Sequence, residues 1–411
     1  MLINKNIFYF IIMLSLLIFV GFFQSWNVSL SILNMCLISA VMALGVNIQW
    51  GYAGLFNVGI MGFAALGGLA AVLISMPPVE GAWEAGGWGI ISGLSLGVLS
   101  LILAIFTYKK LDKGYSRSII IFLICLIGFL ISKTVLTPSK EAVESINPAA
   151  SGYLGGFGLP IILSWPVGGI FAGLAAWIIG KITLGLRSDY LAIATLGISE
   201  IIISILKYED WMTRGVKNVI GMPRPVPFEI NLQNTYWFIE LSNYFNLDII
   251  TFSTIFVKIC YASLFLSTLL ILLWFSETAL KSPWGRMMRA IRDNEVSANA
   301  MGKNVTKKHL QVFILGSVVV GIAGAMLTTL DGQLTPTAYQ PLRFTFLIWI
   351  MVIIGGSGNN WGSVLGGFII WFFWVESEPL GLFLPNAHTS SFSIVGAFPI
   401  NASYFPFNLS C

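Results

Sequence analysis

Polar positions in this chain gather in short clusters, and the apolar runs between them are long. The runs fall at roughly 7–23, 28–48, 54–76, 88–107, 118–136, 162–180, 189–206, 252–275 and 310–330, with a broken pair at 343–354 and 363–375. A helix of about 20 apolar residues crosses a hydrocarbon core of about 30 Å, so the pattern predicts an all-α polytopic integral membrane protein with about nine to eleven transmembrane helices. They would form one transmembrane domain over residues 1–375, since no stretch between them has the length and polarity of a soluble catalytic domain. The first run, Ile7 to Phe23, is longer than a usual signal core, and Phe22-Phe23-Gln24-Ser25 is a poor small-residue cleavage site. A retained first span is therefore expected.

Charge gives the pattern a direction. With the N-terminus placed in the cytoplasm, the loops 108–117 (Lys109, Lys110, Lys113, Arg117), 181–188 (Lys181, Arg187) and 276–309 all fall inside. The last of these carries Lys281, Arg286, Arg289, Arg292, Lys303, Lys307 and Lys308 against Glu277, Asp293 and Glu295. The loops 77–87, 137–161 and 207–251 fall outside and carry acidic or mixed charge. Every basic loop lands on one side, as the positive-inside bias requires.

Composition excludes most other classes. Hydrophobic residues make up 56% of the 411 and charged residues 10%, with a mean hydropathy of +0.85, where a water-facing surface needs far more charge. The net charge of +4 is modest, and no nucleic-acid partner is expected. Cys36, Cys125, Cys260 and Cys411 are scattered without CxxC spacing and read as small packing residues. His309 and His388 are isolated, so metal ligation and nucleophilic catalysis lack their usual partners, and neither cofactor nor enzyme activity is expected. The chain has no G-x-x-x-x-G-K-[ST] phosphate loop, so it cannot hydrolyse ATP by that route.

Three constellations remain. In the basic loop, Arg286, Arg289 and Asp293 stand at i, i+3 and i+7, along one helical face. Asp293 or Asn294 can cap a second short helix and Gly302 suits its C′ position, which predicts a charged elbow of two short helices. The alternative is an ordinary basic loop that only fixes orientation. Next, Asp189, Glu200 and Lys207 share a helix face. Asp189 and Lys207 suit the two ends of the helix dipole. Glu200 falls mid-span, where a carboxylate costs on the order of 3 kcal/mol and usually faces the bundle interior or a wet cavity. Finally, the glycine blocks at Gly51–Gly59 and Gly355–Gly362 serve either helix packing or a break that exposes backbone dipoles.

The order of these residues resembles the LivM-type permeases of branched-chain amino-acid ABC importers. In that family a G-R-x-x-R-A-I-R-D-x-E-x-x-A-x-x-x-G loop is the coupling element that docks on the ATPase. Its fixed positions are present here as Gly285, Arg286, Arg289, Arg292, Asp293, Glu295, Ala298 and Gly302. Three further blocks extend the resemblance over roughly 28–372: Trp50-Gly51-Tyr52-Ala53-Gly54 with Asn57 and Gly59, Leu186 to Gly197 with Glu200, and Gly355 to Gly362. The candidate pathway residues are accordingly Gly51, Tyr52, Gly54, Asn57, Gly59, Asp189, Tyr190, Thr195, Glu200, Gly355, Gly356 and Gly358.

The resemblance implies an ABC importer permease fold in a bacterial inner membrane, carrying leucine, isoleucine or valine. It also implies a second, similar permease, two ATPase subunits and a periplasmic substrate-binding protein as partners. A urea or short-chain amide importer of the same superfamily is an alternative. A solitary ion-coupled transporter is another, although it needs several intramembrane ionisable groups and Glu200 is the clear one. The chain departs from the family at Leu55, at Gly59-Ile60 and at Ser188, which stands where a glycine is usual. Its tail, 376–411, has no lysine or arginine and no full span, so it reads as atypical, truncated or divergent.

Overall fold

In the computed structural model, which describes residues 2–112, 114–147 and 152–382, every apolar run is helical over most of its length. The helices are α1 (Leu2–Phe23), α2 (Trp26–Val46), α3 (Ile60–Ser75), α4 (Trp88–Lys110), α5 (Tyr115–Ser145), α6 (Ser164–Thr183), α7 (Ser188–Tyr208), α8 (Asp210–Thr213), α9 (Glu229–Gln233), α10 (Tyr236–Phe245), α11 (Ile249–Lys281), α12 (Pro283–Asp293), α13 (Glu295–Ala300), α14 (Val305–Asp331), α15 (Pro341–Gly355) and α16 (Asn360–Leu382). Among the described residues, seven helices are long and apolar enough to cross a membrane, and Ile7–Phe23, Ile60–Ser75 and Pro341–Gly355 are shorter apolar helices. This is an all-α polytopic membrane fold.

Helix α14 lies at the centre, packed on α6, α3 and α2, while α2 also packs on α16 and α11. Small residues allow this closeness: Gly67, Gly168 and Gly321 meet where α3, α6 and α14 cross. Helix α1 packs on α2 and α16 and buries Met13, Leu17 and Val20. The described cysteines, Cys36, Cys125 and Cys260, are free.

Three expected boundaries shift. The loop expected over 137–161 begins as helix, because α5 runs on to Ser145. The helix runs through Pro138 and is held beyond it: Lys140 pairs with Glu209, and Val143 packs with Ala82, Ile90 and Leu154. The run that opens at 54 becomes helical only at Ile60. The tail expected from 376 starts inside α16, which continues to Leu382, while the rest of it, with His388 and Cys411, lies outside the described residues.

The connections segregate into two sets. Those assigned outside touch one another: Val79 donates to the Leu154 carbonyl (3.2 Å) and Leu154 to the Trp211 carbonyl (2.9 Å). A two-residue antiparallel ladder pairs β1 (Val219–Ile220) with β2 (Gln333–Leu334). Those carrying the glycine blocks and the basic elbow meet at the opposite ends of the helices. Helices α4 and α5 form a hairpin that packs mainly on itself and is almost wholly exposed along its apolar length.

Candidate functional site

The elbow forms where α11 runs out of apolar sequence. Ser282 and Pro283 restart the chain as α12, and Gly285 lets it turn tightly, since a Cβ there would lie 2.3 Å from the Leu280 carbonyl oxygen. Met288 and Ile291 are fully buried and anchor one face of α12, while Arg286, Arg289, Arg292, Asp293 and Glu295 are exposed. Arg286 donates to the Lys281 carbonyl (3.2 Å) and Arg289 to that of Leu280 (3.4 Å), so both cap the orphan carbonyls at the end of α11. Asp293 pairs with its neighbour Arg292 (3.2 Å). The cap of α13 is Asn294, whose Oδ1 accepts from the Ser297 amide (2.9 Å), and Gly302 follows at φ +75 with Ala298 half-buried between. The predicted pair of short helices is there.

The third arginine reaches inward. Arg292 Nη1 donates to the Gly51 carbonyl at 2.5 Å. That carbonyl is available because α2 ends in a π-helical turn, Asn47–Gly51, and the chain unwinds beyond Gly54. The Leu55 amide, which a continuing α-helix would aim at Gly51, turns back to Gln49 (3.1 Å). Asn47 then ties this turn to the α15–α16 connection. Its Oδ1 accepts from the Gly358 amide (2.8 Å) and its Nδ2 donates to Asn360 Oδ1 (2.9 Å). Asn360 in turn donates to Glu277 on α11 (3.0 Å). A Cβ on Gly51 would lie 2.1 Å from Asn47 Oδ1 and 2.5 Å from the Gly358 nitrogen, so this meeting demands glycine. Tyr52 sits buried at the same junction.

The unwound segment 54–59 is held inside the protein. Gln49 donates to the Phe313 carbonyl (2.9 Å) and to Ser317 (3.0 Å), and accepts from Asn57 (2.8 Å). Asn57 Oδ1 accepts from the Gly59 amide (2.9 Å). On α7, Thr195 accepts from the Val58 amide (3.1 Å) and Ser199 from that of Gly62 (2.8 Å). From α15, Trp349 donates to the Asn57 carbonyl (3.1 Å). Irregular backbone at membrane depth is tolerated where it is so satisfied.

The candidate pathway residues therefore occupy different places. Gly51, Tyr52 and Gly358 belong to the junction under Arg292. Gly54 lies beside the Arg292 side chain, and Gly355 packs directly on Gly362 with Gly356 beginning the turn. Asn57, Gly59 and Thr195 sit in the buried seam between α3 and α7. Asp189, Tyr190 and Glu200 are exposed on the outer face of α7, away from the bundle interior. Sequence reasoning missed Asn47, Gln49 and Ser199 and read Glu277 only as a counter-charge. A signal existed, since two amides close together at the end of the 28–48 run are expensive unless hydrogen-bonded.

The model of the branched-chain amino acid transport system / permease component family matches residues 28–388. A probable branched-chain amino acid transport permease protein LivM of Methanocaldococcus jannaschii is 35% identical over 92 residues, 22% of this chain and 27% of that protein. The high-affinity LivM permease of Escherichia coli is 26% identical over 219 residues, 52% of this chain and 50% of that one. The fructose import permease FrcC of Rhizobium meliloti is 26% identical over 117 residues, 28% of this chain and 32% of that one. The chain thus spans half or less of the length of these curated relatives. No solved structure matches it. With a match covering most of its length, the chain belongs to the permease-component family of branched-chain amino acid transport systems.

Proposed function

We propose that this chain is the LivM-type, membrane-spanning permease subunit of an ATP-driven importer for leucine, isoleucine and valine in a bacterial inner membrane. On this reading its N-terminus and elbow lie in the cytoplasm. A second permease stands beside it, two ATPase subunits dock on the elbow, and a binding protein delivers cargo from outside. The observation that carries the reading is the Arg292–Gly51 hydrogen bond, which joins an exposed basic elbow to a break in a transmembrane helix. Force on α12 then has a direct route into the bundle: closure of the ATPases moves the elbow, and the junction moves the ends of α2, α15 and α16. Such a device fits a two-state permease biased by nucleotide on a partner chain. The similarity to a fructose import permease favours sugar as a second cargo reading.

Co-purification with co-expressed ATPase subunits tests the docking. The wild-type chain is expected to retain an ATPase, and Arg289→Glu with Glu295→Lys to lose it while still inserting. A chain that inserts but binds no ATPase overturns the importer reading. Uptake of labelled leucine, fructose and urea by the reconstituted complex separates the cargoes.

A further inference from the structure

Helix α7 turns one face, Leu191, Thr195, Ser199, Ile203 and Leu206, into the bundle and leaves the other uncovered. On the uncovered face Tyr190, Ile193, Ile201 and Ile205 are 49–69% exposed, and between them lie Gly197 and Glu200. A Cβ on Gly197 would meet nothing within 4 Å. Glu200 is exposed and has no hydrogen-bond or ion-pair partner among the described residues. It stands more than two turns from either end of α7, too far to snorkel readily to a membrane surface. The exposed face of the α4–α5 hairpin provides the contrast, being apolar through Leu101, Ile105, Phe122 and Phe129.

Lipid does not suit the α7 face. A mid-span carboxylate against acyl chains is strongly disfavoured, and such groups face protein or a wet cavity. A glycine one turn away opens room for another backbone to approach closely. We infer that the Gly197–Glu200 face of α7 is covered by a transmembrane helix of a second, non-identical permease chain, which presents a hydrogen-bond donor or cation to Glu200. A non-identical chain fits this face better than a second copy, because a two-fold pairing centred on Glu200 would set carboxylate against carboxylate, whereas a different chain is free to present a donor there. The inference rests on the proposed two-permease importer and adds which surface forms its seam.

The test is photo-crosslinking in the full chain, co-expressed with a tagged, non-identical permease of the same family. Ile193→benzoylphenylalanine and Ile201→benzoylphenylalanine are expected to give an adduct of the two chains, and the same replacement at Phe129 none. Glu200→Leu is expected to lower recovery of the second permease about fivefold or more, with Glu200→Gln retaining most of it as a hydrogen-bonding group. If the wild-type chain retains the second permease but neither α7 position crosslinks, or if Glu200→Leu retains it fully, the face assignment fails and the importer reading stands. Adducts between two copies of this chain overturn the non-identical partner. A chain that inserts but retains no second permease sinks the importer reading and the seam together.

Discussion

Arg292 and Gly51 are 241 positions apart in sequence and share a 2.5 Å hydrogen bond. The donor is a side chain at the end of a surface helix, and the acceptor is a backbone carbonyl freed where a transmembrane helix unwinds. Each supplies what the other lacks. A guanidinium has five donors to satisfy, and a carbonyl at a helix break has lost its partner.

Removing that bond should separate ATP use from cargo movement. Arg292→Ala keeps the apolar anchors Met288 and Ile291, so the elbow stays folded. Transport per ATP hydrolysed in proteoliposomes is expected to fall about tenfold, a coupling loss within the usual 1–3 kcal/mol, with Arg292→Lys intermediate. Unchanged stoichiometry would show that force takes another route.

At Gly358 the backbone has φ +82, and an added Cβ would sit 3.1 Å from Arg292 Nη1. Gly358→Ala should cost roughly 1–2 kcal/mol in backbone strain alone and lower the thermal midpoint in detergent. Gly197→Ala on the isolated chain should leave that midpoint unchanged, as its Cβ position is open.

Asn47 serves two partners at once, the Gly358 amide and the Asn360 side chain. Asn47→Leu leaves both unsatisfied, and at about 1–3 kcal/mol per buried unpaired group the variant should lose several kcal/mol. Chemical denaturation in mixed micelles reads this directly, and Asn360→Leu should be less than additive with it because the two share a bond.

Met288 is fully buried beneath the elbow. Met288→Ala should cost about 2–5 kcal/mol, as large-to-small changes in packed cores do. The expected signature is rapid hydrogen exchange across 283–300 with the transmembrane helices still protected.

Much of this was legible in the chain. The apolar runs located every described transmembrane helix, and the Gly285–Gly302 spacing located both elbow helices, because local periodicity and capping are properties of adjacent residues. What was not legible was convergence. That Asn47, Gly358 and Arg292 meet depends on how α2, α12, α15 and α16 stack, and residues hundreds of positions apart leave no local trace of that. Glu200 illustrates the limit in the other direction. The sequence placed it mid-span and left open the interior of the bundle or a wet cavity, and within this chain α7 buries Ser199 and Thr195 instead and turns the carboxylate outward.

The α4–α5 hairpin departs from the bundle and comes back to nearly the same point. Val79, before it, and Leu154, after it, are joined by a hydrogen bond of 3.2 Å, and Pro78 bridges to Gly155. The intervening chain is a detour, held to itself by contacts such as Ser132 with the Gly93 carbonyl (2.7 Å) and moored to the rest near the Val79–Leu154 contact by Lys140, Val143 and Trp211. Excising it would leave two chain ends already adjacent, so the bundle closes without it. The hairpin is thus a separable flap at the edge of this chain, and the junction beneath Arg292 is built without any residue of it.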